Sequence, residues 1–217
     1  MELKINVIDA FTDTTFKGNS AAVIIIEDWL SDELMQSIAV ENNLSETAFV
    51  KKIEQHSYEI RWFSPITEID FCGHATLAAS FVIFKQHSDV KKIKFFAKAV
   101  GDLWVTALSN GYIEMVFPNK IPEVIHDIPL ALLNGLSIKP LEVLLNDQAY
   151  FVVYETEADV LLVQQNIELI KQLAPFDVVV TARSKEYDFI SRYFWPANGG
   201  YEAPVTGSIH SGLAPLW

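Results

Sequence analysis

Glu46, Cys72, His74 and Ser208 are the side chains in this chain whose types and settings could do chemistry. Glu46 lies between a helix end and a strand, flanked by Ser45 and Thr47. Two readings stand for it: an exposed loop carboxylate, or a general acid/base whose pKa is raised by partial burial. Nothing local decides between them. His74 follows Gly73 at a helix start. It either satisfies backbone groups on entry to the helix or serves as a proton shuttle or substrate donor. Cys72 sits by the same helix start, where the dipole would lower a thiol pKa; a small buried cysteine is the plainer account. It is the chain's one cysteine, so no two-thiol chemistry is available. Ser208 and His210 share a second helix start, where a plain N-cap role for Ser208 competes with substrate binding. Asn19 after Gly18 reads as a turn residue, and Glu68 and Asp70 as solvated loop charges. The five histidines show no metal-ligand spacing. The chain has no phosphate-binding glycine loop, no dinucleotide fingerprint and no Gly-x-Ser-x-Gly elbow.

The elements that must position these residues come in two similar sets. Ser57 to Ser64 alternates as a half-buried strand, with Tyr58, Ile60 and Trp62 on one side and Glu59 and Arg61 on the other. A turn at Cys72-Gly73-His74 follows, and then a helix apolar nearly all round from Ala75 to Phe84, which predicts burial on every face. The strand-like Phe189 to Trp195 is likewise followed by Thr206-Gly207-Ser208 and an apolar run. The pattern predicts two related halves, each ending a strand in a glycine turn that opens a central helix. Two such N-termini across a cleft would hold a carboxylate from both sides.

Composition narrows the partners. The formal charge of -12 argues against nucleic acid or an anionic membrane. With 50% hydrophobic residues over 217, the chain can build a substantial core in one large or two small domains. A lone cysteine suits a reducing cytoplasm. Met1 to Ala10 alternates as a strand rather than as a leader, and no apolar run reaches membrane length.

Taken in order, strands are expected at Leu3 to Phe11, Ala21 to Ile26 and Ala48 to Ile53. A helix opened by Ser31-Asp32-Glu33 carries Leu34, Ile38 and Ala39 inward and ends at Asn42-Asn43. Strands at Lys92 to Ala97, Asp102 to Leu108 and Tyr112 to Phe117 follow, the last two joined by the hairpin signal Ser109-Asn110-Gly111. Pro118 to Asp127 reads as a linker, giving domains at 1–118 and 119–217. Beyond it, helices are expected at Ile128 to Leu136, Pro140 to Leu145 and Ile167 to Leu173. Strands are expected at Ala149 to Tyr154, Ala158 to Val163, Phe176 to Thr181 and Asp188 to Phe194, then a polar loop from Ala197 to Thr206.

Together the motifs are more specific than any one of them. Asp9-Ala10-Phe11, Gly18-Asn19-Ser20-Ala21-Ala22-Val23, Asn43-Leu44-Ser45-Glu46-Thr47-Ala48-Phe49, Arg61-Trp62-Phe63-Ser64-Pro65, Cys72-Gly73-His74-Ala75-Thr76, Ser191-Arg192-Tyr193-Phe194 and Pro204-Val205-Thr206-Gly207-Ser208 run in order over nearly the whole chain. In these the sequence resembles the phenazine-biosynthesis-like (PhzF-like) isomerase/epimerase family, similar in fold to diaminopimelate epimerase. The resemblance implies an α+β protein of two similar domains, each a curved, mostly antiparallel sheet or barrel around a central helix, with an active site in the cleft between them. It implies no metal and no organic cofactor. The characterised phenazine-pathway member isomerises trans-2,3-dihydro-3-hydroxyanthranilate by moving a proton within the ring. By position, Glu46 matches the family's acid/base, and Asn19, Gly73, His74, Gly207 and Ser208 match positions lining the substrate site.

Two departures stand out. Where the family usually carries Glu-Asp-Pro-Val-Thr-Gly-Ser-Ala-His, this chain has Glu202-Ala203-Pro204-Val205-Thr206-Gly207-Ser208-Ile209-His210. The aspartate is Ala203, and Ile209 replaces a small residue. Family members also continue past Trp217, so the second domain is expected to be incomplete and the protein to form a homodimer. The sequence thus predicts a cofactor-independent isomerase or epimerase acting on a small carboxylate. A non-catalytic carboxylate binder or decayed enzyme is the alternative, and a dimerisation scaffold a third.

Overall fold

The computed structural model describes residues 2–198, 200–203 and 205–217. The chain divides into two compact units, Met1–Phe117 and Pro118–Trp217. No helix among the described residues is long and apolar enough to cross a membrane.

In the first unit the order is β1 (Ile5–Ala10), β2 (Asn19–Ile26), α1 (Asp32–Asn42), β3 (Glu46–Glu54), β4 (Ser57–Phe63), β5 (Glu68–Ile69), α2 (Gly73–Gln86), β6 (Lys92–Ala97), β7 (Gly101–Ala107) and β8 (Ile113–Met115). The strands form one sheet in the order β1-β2-β3-β4-β6-β7-β8, with β5 paired outside β4. Pairing is antiparallel except β2 with β3 and β4 with β6, the two pairs joined through helices, as parallel neighbours require. Helix α2 touches β2 and β3 and also the two end strands β1 and β8. A helix can reach both ends of a sheet only if the sheet curls around it. Ala75, Ala78 and Ala79 are fully buried, and their small size lets the helix approach the sheet closely. Tyr58, Ile60 and Trp62 of β4 join that core. On the other face α1 lays Met35 and Ala39 against Ile24, Phe49 and Phe63.

The second unit runs β9 (Glu123–Val124), α3 (Leu130–Gly135), β10 (Glu142–Leu145), β11 (Ala149–Val153), α4 (Glu157–Leu162), α5 (Ile167–Ile170, continued as a 3-10 turn over Lys171–Leu173), β12 (Asp177–Arg183), β13 (Phe189–Phe194), β14 (Glu202–Ala203) and α6 (His210–Leu216). Its sheet has the order β14-β13-β12-β11-β10-β9. Every residue of β11 is buried because the sheet is covered on both faces. Val152 and Val180 pack with Leu132, Val160 and Ile170 of α3 to α5, while Phe151 and Val179 pack with Ile209 and Leu213 at α6.

The units repeat one plan. In each, a parallel pair (β2/β3, β11/β12) is joined by a helical crossover, and an antiparallel strand follows (β4, β13). A two-residue strand then pairs with that strand, Phe63 opposite Glu68 and Phe194 opposite Glu202. A glycine turn and a helix complete the plan.

Several expectations are corrected. Pro140 to Leu145 is not a helix: Glu142–Leu145 is strand β10, held by pairing with β11 on one side and β9 on the other. Ala158 to Val163 is not a strand but lies largely in α4, whose start is fixed by a capping box between Thr156 and Asp159. The linker contributes Glu123–Val124 as edge strand β9, and the polar loop after β13 contributes β14. Asn19 and Ser20 open β2 rather than lying in a turn, with Asn19 paired to Ala10. Leu34 faces outward, and Met35 takes the inner position. Helix α2 is not buried all round, since Phe81 is 43% exposed under the Lys85 ammonium.

Candidate active site

Glu46 is the first residue of β3, and its approach is tightly specified. Helix α1 ends at Asn43 in the left-handed conformation (φ 49°), its N–H bonded to Ala39. Ser45 Oγ donates to Asn19 Oδ1 at 2.9 Å, and Asn42 Nδ2 donates to Thr47 Oγ1 at 3.3 Å. The neighbours of Glu46 are thus tied on both sides, and Asn19, itself buried, acts on the site through Ser45. Gly18 before it cannot carry a side chain, because a Cβ would stand 2.3 Å from the Ala10 carbonyl oxygen.

His74 is the second residue of α2 and is buried. Its Nε2 lies 2.9 Å from Glu46 Oε2, with the two side chains 7% and 14% exposed. The contact has ion-pair distance, yet neither buried atom has an aligned hydrogen-bond partner. A ring N–H bond is directional, and the carboxylate oxygen lies off that direction. On the other edge of the ring, Nδ1 is 3.4 Å from Cys72 Sγ. The helix-dipole reading of Cys72 is overturned. The His74 and Ala75 N–H groups do pull the thiol pKa down, but burial and the Glu46 charge outweigh them and push it well up. The sulfur therefore keeps its proton. The thiol lies within reach of both His74 Nδ1 and the Glu46 carboxylate.

Donor atoms of Glu46, Cys72 and His74 lie within 4.8 Å of one another. They do not suit one ion as they stand. Two ligands about 2.0 Å from a tetrahedral zinc are roughly 3.3 Å apart, wider than the 2.9 Å between Oε2 and Nε2. Gly73 opens α2, whose N-terminus has no strict side-chain cap at Cys72, although the His74 and Ala75 N–H groups act on its sulfur.

Gly207 and Ser208 lie in the turn before α6, in the second unit. The expected N-cap role for Ser208 is corrected: Ile209 is the cap residue, without a side-chain bond, and Ser208 Oγ instead accepts from Gln148 Nε2 at 2.9 Å. His210 is exposed, its Nδ1 3.1 Å from the Thr206 carbonyl. Glu202 cannot stand in for the aspartate replaced by Ala203, because both its oxygens are held by Arg192, at 2.8 and 2.9 Å. Glu68 is exposed as expected but is also held by Arg61, and Asp70 is exposed. Pro204 of the quoted motif lies outside the described residues. Sequence reading missed Ser45 as the link between Asn19 and Glu46. It also missed Gln148, whose one signal is its place in the short Asn146-Asp147 turn between two strands.

A sheet curled around a central helix, followed by a second sheet on the same strand plan, is a fold found in other proteins. A hydroxyproline epimerase from Agrobacterium vitis shares that fold, with TM-score 0.60 at 11% identity over 99% of this chain and 76% of the other. The chain belongs to the phenazine biosynthesis-like (PhzC-PhzF) family, whose model matches residues 8–217. It is 45% identical over its whole length to 82% of an uncharacterized isomerase of Pseudomonas aeruginosa. A PhzF-family crystal structure from Enterococcus faecalis superposes with TM-score 0.91 at 41% identity, again over 100% of this chain and 82% of that one.

Proposed function

We propose that the protein is an isomerase or epimerase that moves a proton on a small carboxylate substrate, with Glu46 as the acid/base. The observation that carries this reading is the buried Glu46 Oε2–His74 Nε2 contact at 2.9 Å, in which both atoms lack an aligned partner. Orphaned buried polar atoms are costly, and natural proteins keep them where function uses them. In the reaction Glu46 takes a proton from the carbon next to the substrate carboxylate and returns it elsewhere. The His74 N–H and the N-terminus of α2 stabilise the negative charge that develops. Ser208 and the Gly207 turn hold the carboxylate, in the cleft that the family resemblance implies. No step calls for a metal or an organic cofactor. A homodimer in the cytoplasm is the proposed setting. A buried free thiol supports the compartment, and exposed Ile5 and Val7 on end strand β1 support the association.

One observation favours a second reading, a carboxylate binder without turnover: Ala203 has no replacement, since Glu202 is committed to Arg192. Deuterium uptake from heavy water separates the two. The folded protein is incubated with a panel of amino and hydroxy acids, including the cyclic dihydro-hydroxy acid, and loss of the carbon-bound proton is followed by NMR. Exchange that falls about 10³-fold in Glu46→Gln establishes the isomerase. Carboxylate binding with no exchange establishes the binder.

A further inference from the structure

Four side chains of the second unit form one hydrogen-bonded line. Tyr193 Oη lies 2.7 Å from Asp177 Oδ2, Gln148 Nε2 lies 3.1 Å from Tyr193 Oη, and the same nitrogen lies 2.9 Å from Ser208 Oγ. The direction of each bond follows from the first. A carboxylate has no proton to give, so the phenol donates to Asp177 and its oxygen can only accept from Gln148. The amide must therefore turn its NH2 group, not its carbonyl, toward Tyr193. A flipped amide would set two acceptors against each other. The second N–H of that NH2 group then meets Ser208, whose oxygen accepts. The Ser208 proton is left to point elsewhere. Burial, then Asp177, pushes the Tyr193 pKa up and keeps the phenol a donor. The line is anchored at the backbone, where Gln148 N–H donates to Asn146 Oδ1 at 2.8 Å and Asn146 Nδ2 donates to the Lys120 carbonyl at 2.9 Å.

We infer that Gln148, set by Tyr193 and Asp177, is a positioning residue that fills one acceptor site of the Ser208 oxygen and turns its proton toward the ligand, so that Ser208 favours a hydrogen-bond acceptor and a charged carboxylate, the stronger acceptor, is preferred to its amide. The inference rests on the proposed reading only in taking the ligand to be a small carboxylate. It adds the residue that enforces the choice and the direction of the bond.

Two stable probes test it, 2-aminobenzoate and its neutral isostere 2-aminobenzamide, titrated by ligand-observed NMR. The wild type is expected to bind the acid about ten-fold tighter than the amide. In Gln148→Met the acid weakens about ten-fold and the amide much less, so the preference collapses. In Gln148→Glu the new carboxylate accepts the Ser208 proton and the preference inverts. Adding Ser208→Ala to Gln148→Met causes no further loss, because the two act as one unit. A merely structural glutamine would weaken both probes alike, and the two substitutions would add. That result, an unchanged preference in both Gln148 variants, or a wild type that binds no 2-aminobenzoate overturns the inference. Acid binding that depends on Gln148, without proton exchange on any panel compound, sinks the isomerase reading and leaves this one standing.

Discussion

The stretch from Arg61 to His74 and the stretch from Arg192 to Ser208 follow the same course in the two units. Each begins with an arginine one residue before an aromatic side chain that faces inward, Trp62 or Tyr193, and two before a phenylalanine over which its guanidinium lies, at 5.2 Å from the ring centroid of Phe63 and 5.0 Å from that of Phe194. Each arginine grips a glutamate on the two-residue strand through two parallel bonds. Five residues after Glu68 comes Gly73, and five after Glu202 comes Gly207. The frame is shared and its contents are not. Cys72 and His74 in the first unit correspond to Thr206 and Ser208 in the second, so one turn carries a thiol and an imidazole and the other two hydroxyls. The comparison also explains Glu202. Its place in the frame is that of Glu68, a clamp on the strand before the turn.

The sharpest way to break the comparison is to remove one reactive group from each unit. Glu46→Gln is expected to lower turnover about 10³-fold with little change in KM, whereas Ser208→Ala raises KM about ten-fold and spares kcat. Steady-state kinetics on the substrate found by deuterium exchange checks this, and equal losses in kcat would mean that the two turns share one role.

The clamps come next. Arg192 also donates to the carbonyls of Val160 (2.9 Å), Leu161 (3.3 Å) and Val163 (2.8 Å), whereas the third contact of Arg61 is Asp32, a side chain 71% exposed. Arg192→Met is therefore expected to cost about 2–3 kcal/mol and Arg61→Met about 1–2 kcal/mol, both discounted for partial exposure. Urea denaturation measures the difference, and the reverse order would show that the carbonyl contacts contribute little.

A smaller effect tests the two helices. Gly212 in α6 stands where α2 has Ala78, five residues beyond the turn glycine. A Cβ on Gly212 would lie 2.4 Å from Phe151 Cζ and 2.8 Å from its Cε1, so Gly212→Ala must displace a buried ring, at about 2 kcal/mol. Ala78→Gly should cost about 1 kcal/mol, through the backbone alone. If Gly212→Ala is neutral in thermal denaturation, the ring gives way more easily than its packing suggests.

The smallest effect concerns the Cys72 thiol, which has no counterpart in the second turn. Folded, it holds its proton above the ordinary value of 9.0, whereas the unfolded thiol releases it near that value. The folded state thus binds more protons over that interval, and stability falls as pH rises from the ordinary value toward the raised one, with no contribution below it. Between pH 8 and pH 10, denaturation of the wild type should weaken more than that of Cys72→Ser. Equal slopes would mean that the thiol ionises as readily inside as outside.

Much of this was legible in the sequence, for identifiable reasons. The glycine turns and the helices behind them carried strong local signals, and the motif order placed the chain in its family. The strand–helix confusion at Ala158 to Val163 arose because a short apolar run fits both periods, while the deciding signal, Thr156 three residues before Asp159, lay just upstream. Pro140 to Leu145 became a strand through partners far along the chain, which local propensity does not register. The raised Cys72 pKa comes first from burial and then from Glu46, 26 positions away, and the second cause shows only in the folded chain. Gln148 was silent because its role is a direction of hydrogen bonding, and only neighbours in space define that.

Among the described residues each sheet takes all its strands from one contiguous unit, and no strand of Met1–Phe117 pairs with one of Pro118–Trp217. On the ribosome this imposes an order. The first unit can close its sheet around α2 before the last residues of the second are joined, an interval of about 5–20 s at ordinary rates of synthesis. Glu46 and His74 would then be locked together in a nascent chain that has not yet made the turn bearing Ser208. Assembly would be sequential, the Glu46–His74 contact built before the last turn of the second unit exists.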